Sequence, residues 1–300
     1  MKIFSGISSR FLAEKIAKNL RIQLSNLEVF EFPDGEKRIR ILDKVLDENV
    51  IVIQSTSNPA DENYMQLFFI VDALKRSGAK SVTAVIPYLG YQRQDHVFRD
   101  GEAVSLQVII ETLESTGVIK IATLDLHSVK IPELFHLPIE HLSAIPLFAK
   151  KIKEEKWNDK QTVLVSPDMG GIRRIKLLSE ELGGMPYVSI EKNRDLSTGK
   201  VIASKISGKV LSRAIIVDDM ISSGKTITVA ADILKKNGAE EIIVFATHPV
   251  FSDQAPKILQ ESKVEKVYMT DTIFVPKEKR FPKLEILSVS ELITNSIRSN

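Results

Sequence analysis

Cysteine is absent from this 300-residue chain. That excludes disulfides, thiolate zinc sites and cysteine nucleophiles, and it fits the reducing cytoplasm. No apolar run approaches the ~20 residues that a membrane helix needs, so no membrane partner is expected. Met1 to Gly6 lack the apolar segment of a secretory signal, which argues against export and for a cytoplasmic location. Charge of one sign is not in excess either. The 41 basic and 39 acidic residues leave a formal net charge of +2, with the basic residues spread along the chain, so no stripe for nucleic acid is offered. What the chain has is 43% hydrophobic content over a length that suits two domains.

Short β-rich runs alternate with helical ones from end to end. Val50–Gln54, Val82–Pro87 and Ile119–Leu124 read as strands, and Arg10–Leu20, the stretch opened by Asn58-Pro59, and Ser105–Glu114 read as helices. Pro33-Asp34-Gly35 marks a turn between two further strands. The same grammar restarts at Val163–Ser166 and continues to a last helix over Ser290–Arg298. Such alternation predicts parallel sheets covered by helices. A repeat supports two related units: Asp72-Ala73-Leu74-Lys75-Arg76-Ser77-Gly78-Ala79 matches Asp232-Ile233-Leu234-Lys235-Lys236-Asn237-Gly238-Ala239. Chance likeness of two helix endings would also produce it. If the repeat is real, only the second copy has an acidic pair and polar loop where the first has Ser55-Thr56-Ser57-Asn58-Pro59.

That acidic pair lies in the stretch around which the chain is organised, Ile215-Ile216-Val217-Asp218-Asp219-Met220-Ile221-Ser222-Ser223-Gly224-Lys225-Thr226. An apolar strand ends in two carboxylates, and a Ser/Gly loop then opens an amphipathic helix. Backbone N–H groups and hydroxyls at a helix N-terminus favour an anion such as phosphate. The carboxylates would repel a bare polyphosphate and suit sugar hydroxyls or Mg2+. Gly224-Lys225-Thr226 copies the tail of a Walker A loop, but that motif needs glycine five residues before its Gly-Lys pair, where Asp219 stands. An ordinary buried strand with a polar turn would also fit this segment alone.

Other polar clusters fall at strand ends, where parallel sheets bind ligands. Phe32-Pro33-Asp34-Gly35-Glu36 joins an aromatic to carboxylates, and Tyr91-Gln92-Arg93-Gln94-Asp95-His96 includes an arginine able to grip phosphate with two nitrogens. Asp125 and His127, two apart at a strand end, would share a face. Ser166-Pro167-Asp168-Met169-Gly170-Gly171 places a carboxylate between strand and helix. Glu191-Lys192-Asn193-Arg194-Asp195 offers two cations on a polar loop. His136 and His141 lack metal spacing and read as structural.

Taken in order, these motifs resemble the ribose-phosphate pyrophosphokinase (phosphoribosyl pyrophosphate synthetase) family over nearly the whole chain. The stretch 218–226 by itself resembles the phosphoribosyl signature of type I phosphoribosyltransferases. The resemblance implies an α/β fold of two tandem type I phosphoribosyltransferase-like domains, each a mainly parallel sheet flanked by helices. The expected divisions are residues 1–142 on the ATP side, 143–285 carrying the sugar site and catalytic loop, and a C-terminal helix at 286–300 that packs back on the first domain. It implies transfer of a diphosphoryl group from Mg-ATP to ribose 5-phosphate, in a homo-oligomer.

By the same resemblance, Phe32, Asp34, Gly35 and Glu36 would contact ATP bound by a neighbouring subunit. Arg93, Gln94, Asp95 and His127 would hold the nucleotide. His127 and Asp168 would serve magnesium. Asp218 and Asp219 would take ribose hydroxyls, Ser222, Ser223, Gly224, Lys225 and Thr226 the 5-phosphate, and Lys192 and Arg194 would be catalytic, Arg194 also touching the sugar phosphate. Ser222 stands where aspartate is common, Lys225 where glycine is, and Asn193 where a base is. Asp100-Gly101-Glu102-Ala103 looks like the archaeal branch, which puts phosphate activation, ADP inhibition and a hexamer in doubt. A phosphoribosyltransferase, or a non-catalytic regulator of a true synthetase, are the alternatives. The first leaves Phe32–Glu36 unemployed, and the second leaves Lys192 and Arg194 so.

Overall fold

Val50-Ile51-Val52-Ile53 and Ala214-Ile215-Ile216-Val217 are apolar at consecutive positions, so both faces of each run need cover. The computed structural model describes residues 1–194 and 201–299, with the backbone alone at 192–194 and 201–204. It places both runs inside parallel sheets. The chain divides into two compact units, residues 1–142 with 272–274 and 288–300, and residues 143–271 with 275–287.

The first unit runs β1 (Lys2–Ser5), α1 (Arg10–Leu20), β2 (Leu27–Glu31), β3 (Lys37–Ile41), β4 (Asn49–Ile53), α2 (Ala60–Arg76), β5 (Ser81–Ile86), α3 (Ser105–Ser115), β6 (Lys120–Leu124) and β7 (Ile139–Leu142). Its sheet has the order β1-β4-β5-β6-β7, parallel throughout, and β2 and β3 form a separate antiparallel ribbon. Val50, Val52, Val82, Ala84 and Ile86 pack with Leu67, Val71 and Leu74 of α2 and Leu106, Ile110 and Leu113 of α3. Burial of each large aliphatic chain contributes roughly 1.5–3 kcal/mol.

The second unit runs α4 (Ile145–Glu154), β8 (Thr162–Ser166), α5 (Ile172–Glu181), β9 (Tyr187–Arg194), β10 (Val201–Ile206), β11 (Arg213–Met220), α6 (Lys225–Lys236), β12 (Glu241–His248), α7 (Ala255–Glu261), β13 (Lys266–Thr270) and β14 (Leu284–Leu287). The sheet order is β10-β9-β8-β11-β12-β13-β14, parallel except for the β9–β10 pair. Successive side chains of β11 go to opposite faces. Ile216 joins the cluster of α6 and α7, while Ile215 and Val217 join that of α4 and α5. The final helix, α8 (Ser290–Ser299), belongs to the first unit, where Arg298 Nη2 donates to Asn19 O (2.7 Å) and Ser296 Oγ to Glu140 (2.7 Å).

The two copies of the repeat end on the same turn: Ala79 N–H donates to Leu74 O and Ala239 N–H to Leu234 O, at 3.1 and 3.0 Å. Four expectations shift. Helix α2 begins at Ala60 with Pro59 as its cap, one place later than Asn58-Pro59 suggests. β7 and β14 are short strands whose Glu140, His141 and Glu285 hide the apolar signal. β9 continues through Lys192 to Arg194, paired with β10, where the polar sequence implied a loop. An antiparallel arm can leave one face in water, so polarity does not mark its end. Strand β6 stops at Leu124, and Asp125 has φ +34°, so alternation along a strand does not relate Asp125 to His127.

Candidate functional site

The carboxyl end of β11 carries Asp218 and Asp219 at the point where the apolar run gives out. Strand parity sends Asp218 toward the α6 side and Asp219 toward the α4–α5 side. Arg174 Nη1, from the first turn of α5, nevertheless lies 3.6 Å from Asp218 Oδ1 and 3.9 Å from Asp219 Oδ1. All three side chains are at most 15% exposed. Asp219 N–H donates to Asp218 Oδ1 at 2.9 Å. Burial, then the neighbouring Asp219 carboxylate, pushes the Asp218 carboxyl well above the usual range; Arg174 opposes that rise and Asp168 adds to it.

Asp168 follows β8, the strand beside β11. Its Oδ1 accepts from Gly170 N–H (3.0 Å) and Gly171 N–H (3.3 Å), and its carbonyl accepts from Ser166 Oγ (2.7 Å). One carboxylate oxygen is thereby tied to the turn that opens α5.

Beyond β11 the chain turns through Ser222, Ser223 and Gly224 into α6. Gly224 adopts φ +76°, a conformation that strains any residue with a Cβ. Lys225 and Thr226 are the first helical residues. Among the described residues no protein acceptor meets the N–H of Ser223 or Gly224. That is the ordinary state of a helix start and the group of donors an anion uses. Ser222 Oγ bonds Ser252 Oγ at 2.9 Å, and Ser252 N–H donates to Ser222 O at 3.1 Å, so the loop is braced from the turn after β12. The corresponding loop of the first unit is closed. Gln54, Ser55 and Thr56 are fully buried, with Ser55 N–H on Ser9 Oγ (2.7 Å), Gly90 N–H on Thr56 Oγ1 (2.8 Å) and Gln54 Nε2 on Gln66 (3.0 Å).

Lys192 and Arg194 lie on β9, whose ladder with β8 closes at Ser166↔Ser189. Lys192 is three residues further on, about 10 Å past that point at strand rise. The two cations' backbones therefore leave the same edge of the sheet as Asp218 does. Residues 195–200, including Asp195 of that motif, lie outside the described residues.

In the first unit, Phe32, Asp34, Gly35 and Glu36 form the exposed tip of the β2–β3 hairpin, with Phe32 N–H on Glu36 O (2.8 Å) and Glu36 N–H on Asp34 Oδ1 (3.2 Å). Phe32 meets Phe30 edge to face at 5.0 Å, with the Arg38 guanidinium over both rings. Arg93 is exposed in the loop after β5. Gln94 Nε2 donates to Ala103 O (3.3 Å), and Asp95 Oδ1 meets His96 Nδ1 at 2.6 Å. The N–H of His127 donates to Gln92 Oε1 at 2.9 Å, which draws the loops after β5 and β6 together. Gln92 is 1% exposed and its Nε2 has no partner among the described residues. His136 pairs with Glu114 (2.9 Å) and His141 Nε2 accepts from Leu126 N–H (3.0 Å). Among the described residues no three His, Asp or Glu side chains converge on a metal position.

Sequence reasoning passed over Arg174 and Gln92. The signal for Arg174 was an arginine in the first turn of a helix, against the dipole, directly after Asp168-Met169-Gly170-Gly171. No local pattern marks Gln92 apart from its neighbours.

A family profile described as the N-terminal domain of ribose phosphate pyrophosphokinase matches residues 1–117, and one described as the phosphoribosyl synthetase-associated domain matches residues 151–300. The ribose-phosphate pyrophosphokinase of Fusobacterium nucleatum is 39% identical over 300 residues, covering 99% of this chain and 94% of its own length. This chain belongs to the ribose-phosphate pyrophosphokinase family. The ribose-phosphate pyrophosphokinase of Thermotoga maritima is 38% identical over 299 residues, with 99% and 94% covered. A crystal structure of phosphoribosylpyrophosphate synthetase from Mycobacterium smegmatis superposes with a TM-score of 0.93 at 34% identity, covering 99% of this chain and 97% of that one. These relatives are bacterial, so the archaeal likeness rests on the Asp100–Ala103 stretch alone. Within the ribose-phosphate pyrophosphokinase family the arrangement of two α/β units with mainly parallel sheets is accounted for. Among the described residues no helix is long and apolar enough to cross a membrane.

Proposed function

We propose that this chain transfers the β,γ-diphosphoryl group of ATP to the anomeric hydroxyl of ribose 5-phosphate, releasing AMP and 5-phospho-α-D-ribose 1-diphosphate for nucleotide biosynthesis. The observation that carries this reading is the acidic end of β11 set directly before the Gly224-capped start of α6, in a family member matched over 99% of its residues. Two carboxylates that accept from sugar hydroxyls, followed by N–H donors for a phosphate, suit a sugar phosphate and would reject a polyphosphate.

In this scheme Asp218 and Asp219 hold the ribose hydroxyls, and Ser222, Ser223, Gly224, Lys225 and Thr226 hold the 5-phosphate. Lysine at 225 is electrostatically compatible with that phosphate, and Ser222 still offers a hydroxyl. The anomeric oxygen attacks the β-phosphorus, and the bond to the oxygen shared with the α-phosphate breaks with AMP as leaving group. Little covalent chemistry falls to the protein in such a transfer, so position and charge neutralisation decide the rate. Lys192 and Arg194 supply the charge, and Arg194 also reaches the sugar phosphate. Residues 1–142 form the ATP side, with Arg93, Gln94, Asp95 and His127 on the nucleotide. Residues 143–271 with 275–287 form the sugar side, and α8 is the returning helix. Phe32, Asp34, Gly35 and Glu36 address ATP bound by another subunit of a homo-oligomer in the cytoplasm.

Mg2+ prefers oxygen ligands and keeps much of its shell as water and substrate phosphate, so the lack of an all-protein cage among the described residues fits it. His127, beside the nucleotide, would serve one such ion and Asp168 a second beside the sugar, and each ion would neutralise phosphate charge. The test is to incubate the full chain with Mg-ATP and ribose 5-phosphate and measure AMP, with each substrate omitted in turn and with EDTA. AMP that requires both substrates and the metal is expected. AMP formation that depends on an added base, or sugar-phosphate binding without AMP, overturns the reading in favour of a phosphoribosyltransferase or a regulator.

A further inference from the structure

The first turn of α5 is an odd place for a cation largely shielded from water. A helix N-terminus carries partial positive charge, and acidic residues are the stabilising choice there. The first turn of α5 has none, and Arg174 stands in it with its side chain only 15% exposed. Burying an arginine against the dipole is unfavourable unless something opposite holds it. What lies opposite is the pair of carboxylates at the end of β11, at 3.6 and 3.9 Å.

Those distances have a second implication. They exceed the 2.7–2.9 Å of a charge-assisted hydrogen bond, so the guanidinium is not locked in bidentate fashion onto either acid. It is shared. A bidentate lock would occupy the carboxylate oxygens that the sugar hydroxyls need, whereas a shared counter-charge leaves them open. Asp168, the third carboxylate near this point, already spends one oxygen on the N–H groups of Gly170 and Gly171. Arg174 thus stands against both acids of the pair, and Asp168 adds its charge to Asp218 from the neighbouring turn.

We propose that Arg174 is a positioning residue for ribose 5-phosphate binding. It acts through Asp218 and Asp219, holding both carboxylates aimed at the same place so that they accept from adjacent ribose hydroxyls. This rests on the reading of Asp218 and Asp219 as the ribose-hydroxyl acceptors. Burial and the neighbouring Asp219 carboxylate raise the Asp218 carboxyl and Arg174 opposes that rise, so removal of the guanidinium leaves two adjacent carboxylates with nothing between them to fix their aim.

The test is a double-variant cycle on the full-length protein: Arg174→Met, Asp218→Asn and both together, with Arg174→Lys as the conservative variant. Ribose 5-phosphate binding is read by titration calorimetry for every variant, and the KM of each substrate by AMP release for the wild type and the Arg174 single variants. Arg174→Met should weaken ribose 5-phosphate by at least about thirtyfold, the low end for breaking one side of a buried charge pair, while the KM for ATP stays within about threefold. Arg174→Lys should recover part of the loss. The double variant should bind no more weakly than the worse single one, since both changes remove the same acceptor. Unchanged ribose 5-phosphate affinity in a folded Arg174→Met, equal losses for both substrates, or strict additivity in the cycle would overturn the proposal. If Arg174→Met does not fold, the cycle run with Arg174→Lys decides by the same criteria. A wild-type protein that neither binds ribose 5-phosphate nor releases AMP overturns the function proposed above instead, which keeps the two failures apart.

Discussion

Helix α6 carries a left-handed glycine at each end, and the pair separates a backbone effect from a site effect. Gly224 caps the start at φ +76°, and Gly238 follows the last turn at φ +98°. A Cβ on Gly238 meets nothing within 4 Å, whereas one on Gly224 lies 3.4 Å from Leu259 Cγ and 3.7 Å from Ala255 O. Alanine in the left-handed region costs about 1–2 kcal/mol at either position. The Leu259 side chain lies at ordinary van der Waals distance and adds no clash at Gly224. Both variants should therefore lose about 1–2 kcal/mol, or ~2–8 °C at 2–4 °C per kcal/mol for a domain of this size.

Their effects on activity should differ. Gly224→Ala tilts the N–H groups of Ser223 and Gly224, and losing even one charge-assisted phosphate contact of ~1.5–3 kcal/mol raises the ribose 5-phosphate KM roughly 10- to 150-fold. Gly238→Ala should leave that KM unchanged, and the ATP KM should move in neither. Thermal denaturation with steady-state AMP release measures both. Equal stability losses with no KM change in Gly224→Ala would refute the assignment of this loop to the phosphate.

Asp218→Asn should abolish turnover yet stabilise the substrate-free protein. A carboxyl whose folded pKa is raised contributes stability that is complete below its unfolded value near 3.9 and is lost as pH rises through the folded value. The amide should therefore raise Tm at pH 7.5, by ~2–4 °C for about 1 kcal/mol, with the advantage fading toward pH 4. Calorimetric Tm against pH measures it, and a lower Tm at pH 7.5 would count against the burial argument. Lys192→Ala and Arg194→Ala should each lower kcat, on the order of 10³-fold for Arg194, with little change in ATP affinity; near-normal turnover would remove either from the catalytic role. Phe32→Ala should keep Tm, because the ring is 38% exposed and contacts only Phe30 and Arg38 among the rings and cations near it. Its ATP KM should rise roughly three- to tenfold if the ring stacks on adenine. An unchanged KM would free Phe32 from that role.

Local order was legible because backbone geometry writes it into each segment. Ile215-Ile216-Val217 could only be a strand covered on both faces, and so it is, each residue fully buried. Asn237-Gly238 ended a helix, and Pro33-Asp34-Gly35 turned a hairpin, for reasons contained in a few residues. The signals failed where polarity had two meanings. Lys192-Asn193-Arg194 read as a loop and forms an antiparallel arm, and Glu140-His141 hid β7. Asp125 left the strand through a left-handed turn that nothing in its neighbours announces.

The site divides in the same way. Asp218, Asp219 and the 222–226 loop were visible because strand, acid pair and helix start are consecutive in the chain. Arg174 and Gln92 were not, because their meaning lies in what they touch: Asp218 across from α5, and the His127 N–H across from the loop after β5. Periodicity records which face of a segment is apolar, and that much belongs to the sequence by itself. Which strand lies beside which is settled only when all the apolar faces are buried together, and it was the placing of β8 against β11, with β9 and β10 turned to the other side, that brought an arginine to the acids it serves.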